Sequence, residues 1–208
     1  MPSAQRFKLA LFVSLISVVA AQCANDTAKL PAERAISGVV IDYRSNRIGD
    51  VDKLVIKSES KLTVVHFPPH TARAVMNAAP KNQEAELTVD LSEKKDPELR
   101  SVKAASGNLD MHSIPPMAAA SGKEVEITEK ALSFRRDGHG SVNALVYKNY
   151  LVELPPHLVK NLQPVLADTA RIVVRGYERD LSQGFVNTTG LIVVKPFSIT
   201  INNTDYLL

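Results

Sequence analysis

The side chains best able to move protons or hold metals are five histidines, His66, His70, His112, His139 and His157. Their spacing does not converge. His66 and His70 flank Phe67-Pro68-Pro69, and the prolines put them on different elements. His70 and His157 follow matching Pro-Pro pairs, so they occupy equivalent places in separate segments and would share a metal only if those segments packed face to face. Asp137-Gly138-His139-Gly140 could pair an acid with a histidine, but its glycines favour a turn. Cys23 is the single cysteine, which excludes an intramolecular disulfide framework and a multi-cysteine metal site. HExxH, EF-hand, P-loop and GxSxG patterns are missing from the sequence. The expectation is a non-enzyme with no catalytic residue, metal or cofactor. An enzyme alternative needs a pocket that joins His66 or His139 to carboxylates from elsewhere in the chain.

A second chemistry is suggested by cations interleaved with aromatic rings. Phe134-Arg135-Arg136 and Tyr147-Lys148-Asn149-Tyr150 offer charge for phosphates and faces for stacked bases. His139, Arg44, Arg47 and Lys57 add to this speculative ligand-binding set. The competing structural reading places Phe134 and Tyr147 in a core and the arginines on a solvated loop. Bulk charge does not favour nucleic acid. The chain has 25 basic and 22 acidic side chains, and loss of residues 1–21 removes Arg6 and Lys8 and no acid, leaving a formal charge of +1.

That first segment reads as a signal peptide. Arg6 and Lys8 precede an apolar run from Leu9 to Ala21, and Val19-Ala20-Ala21 fits a cut before Gln22. The run is shorter than the roughly 20 residues of a spanning helix. Export to a periplasm or secretion follows. An uncleaved anchor is the alternative, and a lipid anchor at Cys23 is disfavoured by Gln22. Residues 22–35 are small and polar and read as a flexible arm. Asn25, Asn187 and Asn202 open glycosylation sequons, which matter only in a eukaryotic secretory route.

The elements that must position these groups occur twice. Phe67-Pro68-Pro69-His70 recurs as Leu154-Pro155-Pro156-His157, 87 residues on. Upstream, Gly49, Val51, Leu54 and Val55 match Gly140, Val142, Leu145 and Val146 at an offset of 91, as Tyr43 matches Phe134. The drop of four is assigned to a longer turn at Ser58-Glu59-Ser60 than at Lys148-Asn149. Downstream, Ala85, Leu87 and Val89 are matched with Ala170, Ile172 and Val174 at an offset of 85. Alternation predicts strands over 35–43, 51–57, 61–67, 84–91 and 100–105 in the first copy, and over 124–134, 142–148, 150–154, 170–177 and 191–201 in the second. Each Pro-Pro pair opens a short helix, Ala72, Val75, Met76 and Ala79 giving one apolar stripe in the first and residues 157–163 forming the second. Leu54 and Leu145 should both be buried.

Three strands, a helix, then two strands resembles the oligonucleotide/oligosaccharide-binding (OB) fold. The resemblance rests on element order and implies an all-β protein with short helices, as two tandem five-stranded OB-like barrels, each with one helix between strands three and four. The first barrel is expected over 36–105, a linker over 106–122, and the second barrel over 123–208. In that fold the ligand face is the surface of strands two and three with the flanking loops. The function read from this is an exported binding or assembly module whose ligand is a protein, a polysaccharide or an oligonucleotide. Single-stranded nucleic-acid binding across the strand-two/three face is the alternative.

Overall fold

The computed structural model describes residues 33–91, 96–117, 122–129, 133–136, 140, 142–155, 158, 164–165 and 171–208. The leader, Cys23, His139, His157 and nearly all of the expected second helix lie outside these residues. Glu33–Leu208 forms one unit, mostly β, with two sheets and one short α-helix described along its length. We call 33–117 the first half and 122–208 the second.

The first half holds β1 (Glu33–Ser45), β2 (Val51–Ser58), β3 (Lys61–His66), α1 (Ala72–Ala78), β4 (Glu84–Asp90), β5 (Glu98–Ala104) and β6 (Gly107–Asp110). The sheet order is β3-β2-β1-β4-β5-β6, and β3 also meets β5 in parallel at His66 and Glu98. β1 is long enough to pair with β4 along its first part and with β2 along its second. Pro68 and Pro69 end the ladder, and Pro69 opens a 3-10 turn, Pro69–Thr71, that leads into α1. The Thr71 hydroxyl donates to the Pro68 carbonyl at 2.7 Å. Ala72, Val75 and Ala79 are buried, so the apolar stripe of α1 packs on the core with Val40, Leu54, Ile56, Leu87 and Leu99.

The second half holds β7 (Glu124–Glu129), β8 (Ser133–Arg136), β9 (Val142–Tyr147), β10 (Tyr150–Glu153), β11 (Ile172–Glu178), β12 (Ile192–Ile201) and β13 (Thr204–Leu207). Its order is β7-β11-β12-β10-β9-β8, with β13 on β12. The expected strand 124–134 is described as two pieces, β7 on β11 and β8 on β9. Leu145, Val152, Ile172, Val174 and Ile199 form this half's core.

The two sheets repeat one pairing register. Tyr43 opposes Leu54 and Leu54 opposes Val65; Phe134 opposes Leu145 and Leu145 opposes Val152. Leu54 and Leu145 are both fully buried. A bulge follows Arg44 in β1 and Arg135 in β8, and another follows Thr88 in β4 and Arg175 in β11. Gly49 and Gly140 both have positive φ, +90° and +81°, at the turn before strand two.

Three expectations need correction. The hairpin turns are equally short, two residues each, with Glu59 and Lys148 at positive φ as primed turns require. The four missing residues come from the ladder, which runs over six pairs between β2 and β3 and four between β9 and β10. The fourth strands match at an offset of 87, so that Leu87 corresponds to Val174 and Val89 to Gly176, not at 85. Finally, residues 33–35 are strand rather than arm, and the expected linker contains β6 and a 3-10 turn, Met111–Ser113. Residue for residue, β6 on β5 corresponds to β13 on β12 at an offset of 97. A short sixth strand therefore belongs to the repeated pattern.

Candidate functional site

The change of offset from 87 at the fourth strand to 97 at the fifth means that ten more residues separate equivalent positions of these strands in the second half, six of them in the β11–β12 connection, 179–191. This extra length reaches the first half. Val51 N–H donates to Val186 O at 2.9 Å, Thr188 N–H to Gly49 O at 2.8 Å, and Arg73 N–H to Gly184 O at 2.9 Å. Val186 packs on the core of the first half. Gly184 (φ +96°) lies so close to the His70 carbonyl that a Cβ there would sit 2.3 Å from the oxygen.

The first half reciprocates through the turn between β1 and β2. Ile48, 3% exposed, is buried with Ala144 of β9, Leu151 of β10 and Val193 of β12, and Leu191 packs beside them. These residues lie on the outer face of the second sheet, across strands two, three and five of the repeated pattern. The strand-two/three face of the second half, expected to bind ligand, is therefore filled by an isoleucine of the same chain. The corresponding positions in the first half carry Lys53 for Ala144 and Val64 for Leu151, with His66 in the place of Glu153, and that face is exposed at Lys57 and Leu62.

Charged groups join the two halves at the rim of this contact. Asp50, 1% exposed, accepts from Arg179 and, at 2.9 Å, from the Asn187 amide, which also donates to Ile48 O at 3.1 Å. Arg179 donates to Glu153 at 3.1 Å, and its guanidinium lies over the Phe185 ring, 4.7 Å from the centroid. Burial lowers the Arg179 pKa from its usual value. Arg47 lies 3.6 Å from Glu153 and donates to Leu154 O at 3.3 Å. A cavity of about 730 Å³ opens beside this cluster, between the 46–50 turn, Pro69-His70, the end of β11 and Lys195-Pro196 of β12.

The predicted ligand residues do not converge. Arg47 is engaged in the junction. Tyr150 packs against the second core and its hydroxyl donates to Glu178 at 3.2 Å. Its pKa is raised, first by loss of solvent and then by that bond. Arg136 donates to Gly140 O at 2.8 Å and lies 6.0 Å from the Phe134 centroid, whereas Lys148 sits over Tyr147 at 4.7 Å. Arg135 is half-buried on β8. Phe134 and Tyr147 pack on the second core, so the structural reading holds for these two rings. Arg44 and Lys57 are exposed on the other half, and His139 lies outside the described residues.

His66 lies 3.4 Å from Asp96 with both side chains partly exposed, and the His70 ring lies 6.4 Å from Phe185. Among the described residues no group of three histidine, cysteine, aspartate or glutamate side chains is placed to hold a metal ion. No helix among them is long and apolar enough to cross a membrane.

The sequence reading missed Ile48, Asp50, Glu153, Arg179, Phe185 and Asn187. One signal was available in an isoleucine standing in an otherwise polar turn, Arg44-Ser-Asn-Arg-Ile48-Gly-Asp50. The other was the surplus length before the last strand, visible only once the repeat is carried that far. Comparison of the chain with family models, with curated proteins and with solved structures finds no match.

Proposed function

We propose that the chain is an exported, non-enzymatic binding or assembly module of two OB-like barrels. Support for the barrels comes from the strand path. In the first half β1 pairs with β2 and β4, β2 with β3, β4 with β5, and β5 with β3, which is the cyclic order of an OB barrel. The second half has the same order when β7 and β8 are taken as one interrupted first strand. The export part of the reading rests on the leader-like residues 1–21.

One observation carries the functional part. In the second half the strand-two/three face holds a polypeptide turn, with Ile48 inserted and Arg47 reaching Glu153 and Leu154. A face of this build takes protein chain, so a protein partner is favoured over a polysaccharide. The face left for that partner is on the first half, around Lys53, Lys57, Leu62 and His66. Packing of Phe134, Tyr147 and Tyr150 on the second core, with Arg44, Arg47 and Lys57 on the other half, disfavours a continuous track for single-stranded nucleic acid.

The test is titration of the isotopically labelled full chain with a pool of extended peptides, a neutral oligosaccharide and an oligothymidylate. Shift changes at Lys53, Lys57 and His66 with the peptides, and none at Ala144 or Leu151, are expected. Tight oligothymidylate binding that weakens steeply with salt and is lost on changing Arg135 and Arg136 to alanine would overturn the reading.

A further inference from the structure

We propose that the cavity between the two halves is a binding site for a small amphipathic amine, an apolar body carrying one ammonium group. This site is separate from the face assigned above to a protein partner. Its volume, about 730 Å³, is that of a small-molecule pocket. Pro69 and Phe185 line it from one side, Tyr177 and Pro196 from the other, and Met117 stands at the rim with 52% exposure. Such walls favour an apolar body.

The charge of the ligand follows from pairing inside the cavity. Among the described residues four carboxylates line it, Asp50, Glu153, Glu178 and Asp180, against three cations, Arg47, Arg179 and Lys195. Asp50 and Glu153 are satisfied by the two arginines. Glu178 is hydrogen-bonded through one oxygen to the neutral Tyr150 hydroxyl, and its other oxygen has no described partner. Asp180 caps the 3-10 turn Leu181–Gln183, accepting from Ser182 N–H at 2.8 Å. Hydrogen bonding from the Ser182 side chain, and then from this N–H, keeps its carboxyl below the usual pKa, so it is ionised at neutral pH. Neither Glu178 nor Asp180 is in an ion pair with a described cation. Lys195 is exposed on β12, opposite Tyr177, where water solvates its ammonium. The described wall thus carries one more negative than positive charge beside aromatic and proline surfaces. An ammonium group gains from both the carboxylates and the Tyr177 ring, while a carboxylate ligand would meet repulsion.

The experiment is calorimetric titration of the full chain with phenethylamine and benzyltrimethylammonium, compared with 3-phenylpropanol and 3-phenylpropionate as neutral and anionic analogues. Saturable one-to-one binding of both ammonium probes is expected, with the two analogues weaker by about tenfold or more. The Glu178→Gln, Asp180→Asn double variant should weaken the ammonium probes by about tenfold, because it removes charge and keeps both hydrogen-bond acceptors. Met117→Trp fills the mouth from an exposed position and should abolish binding without lowering the urea midpoint. Failure of either ammonium probe to saturate, equal binding of all four probes, or unchanged binding in Met117→Trp overturns the proposal. These outcomes leave the peptide titration above unaffected.

Discussion

Replacing Asp50 by alanine should destabilise the whole protein, not only its own turn. The carboxylate is almost fully enclosed and accepts from Arg179 and from the Asn187 amide, both on the other half. Its loss leaves Arg179, with a side chain 14% exposed, facing only Glu153. Removing one partner of a buried ion pair costs about 3–5 kcal/mol. The unsatisfied Asn187 donor adds about 1 kcal/mol. The neighbouring cavity opens the guanidinium to solvent, which moves the total to the lower end, about 4 kcal/mol. Equilibrium urea unfolding of the full chain, followed by circular dichroism, measures this directly. A double-mutant cycle with Arg179→Met separates the pair from side effects, because the double variant leaves no uncompensated charge. Its cost should fall short of the summed single costs by at least about 1 kcal/mol. A single-variant cost below about 1 kcal/mol, or strict additivity, would refute the claim that this pair fastens the halves.

Three further outcomes follow from the same packing. Leu145→Ala should cost about 2–5 kcal/mol in urea unfolding, since Leu145 is fully enclosed at the position equivalent to Leu54, and a cost near zero would contradict the matched register. Gly184→Ala should cost about 1–3 kcal/mol, because the residue is left-handed and its Cβ would strike the His70 carbonyl; Gly190→Ala, also left-handed but with open space around it, should cost less, and equal costs would remove the steric argument. Tyr43 donates its hydroxyl to Ala79 O at 2.5 Å, and burial raises its phenol pKa, so the fold favours the neutral form. The stability this gives is fully present below pH about 10 and is lost as pH rises through the folded-state pKa. Urea midpoints measured between pH 8 and pH 11 should therefore fall less steeply for Tyr43→Phe than for the parent chain, and parallel profiles would count against this.

Alternating apolar residues and the recurring Pro-Pro-His corner made most strands, both hairpins and α1 legible in the sequence. Strand four was placed correctly but matched two residues out of step. A slip of two preserves which side chains face the core, so Ala85, Leu87 and Val89 align with apolar partners in either register. The cross-strand pairing decides the matter in the structure, because Leu87 opposes Ile36 as Val174 opposes Ile127. Val89 then matches Gly176, where a Cβ would lie 2.5 Å from the Lys195 carbonyl. β6 escaped because Gly107-Asn-Leu-Asp110 is short and sits among glycine and serine, with only Leu109 packing inward. The junction was illegible for a different reason. Ile48 and Val193, or Asp50 and Arg179, lie far apart in sequence, and no local pattern links them. Each half's buried face sets a period in its own strand, but a contact between outer faces leaves no period to read.

The central claim is that the second half's strand-two/three face is occupied by the first half's own turn. Methyl-labelled nuclear Overhauser spectroscopy of the full chain tests it most directly. Cross-peaks from the Ile48 methyls to those of Ala144, Leu151 and Val193 are predicted, and Ile48 methyls that show none of them while Leu151 and Val193 still contact each other would contradict it.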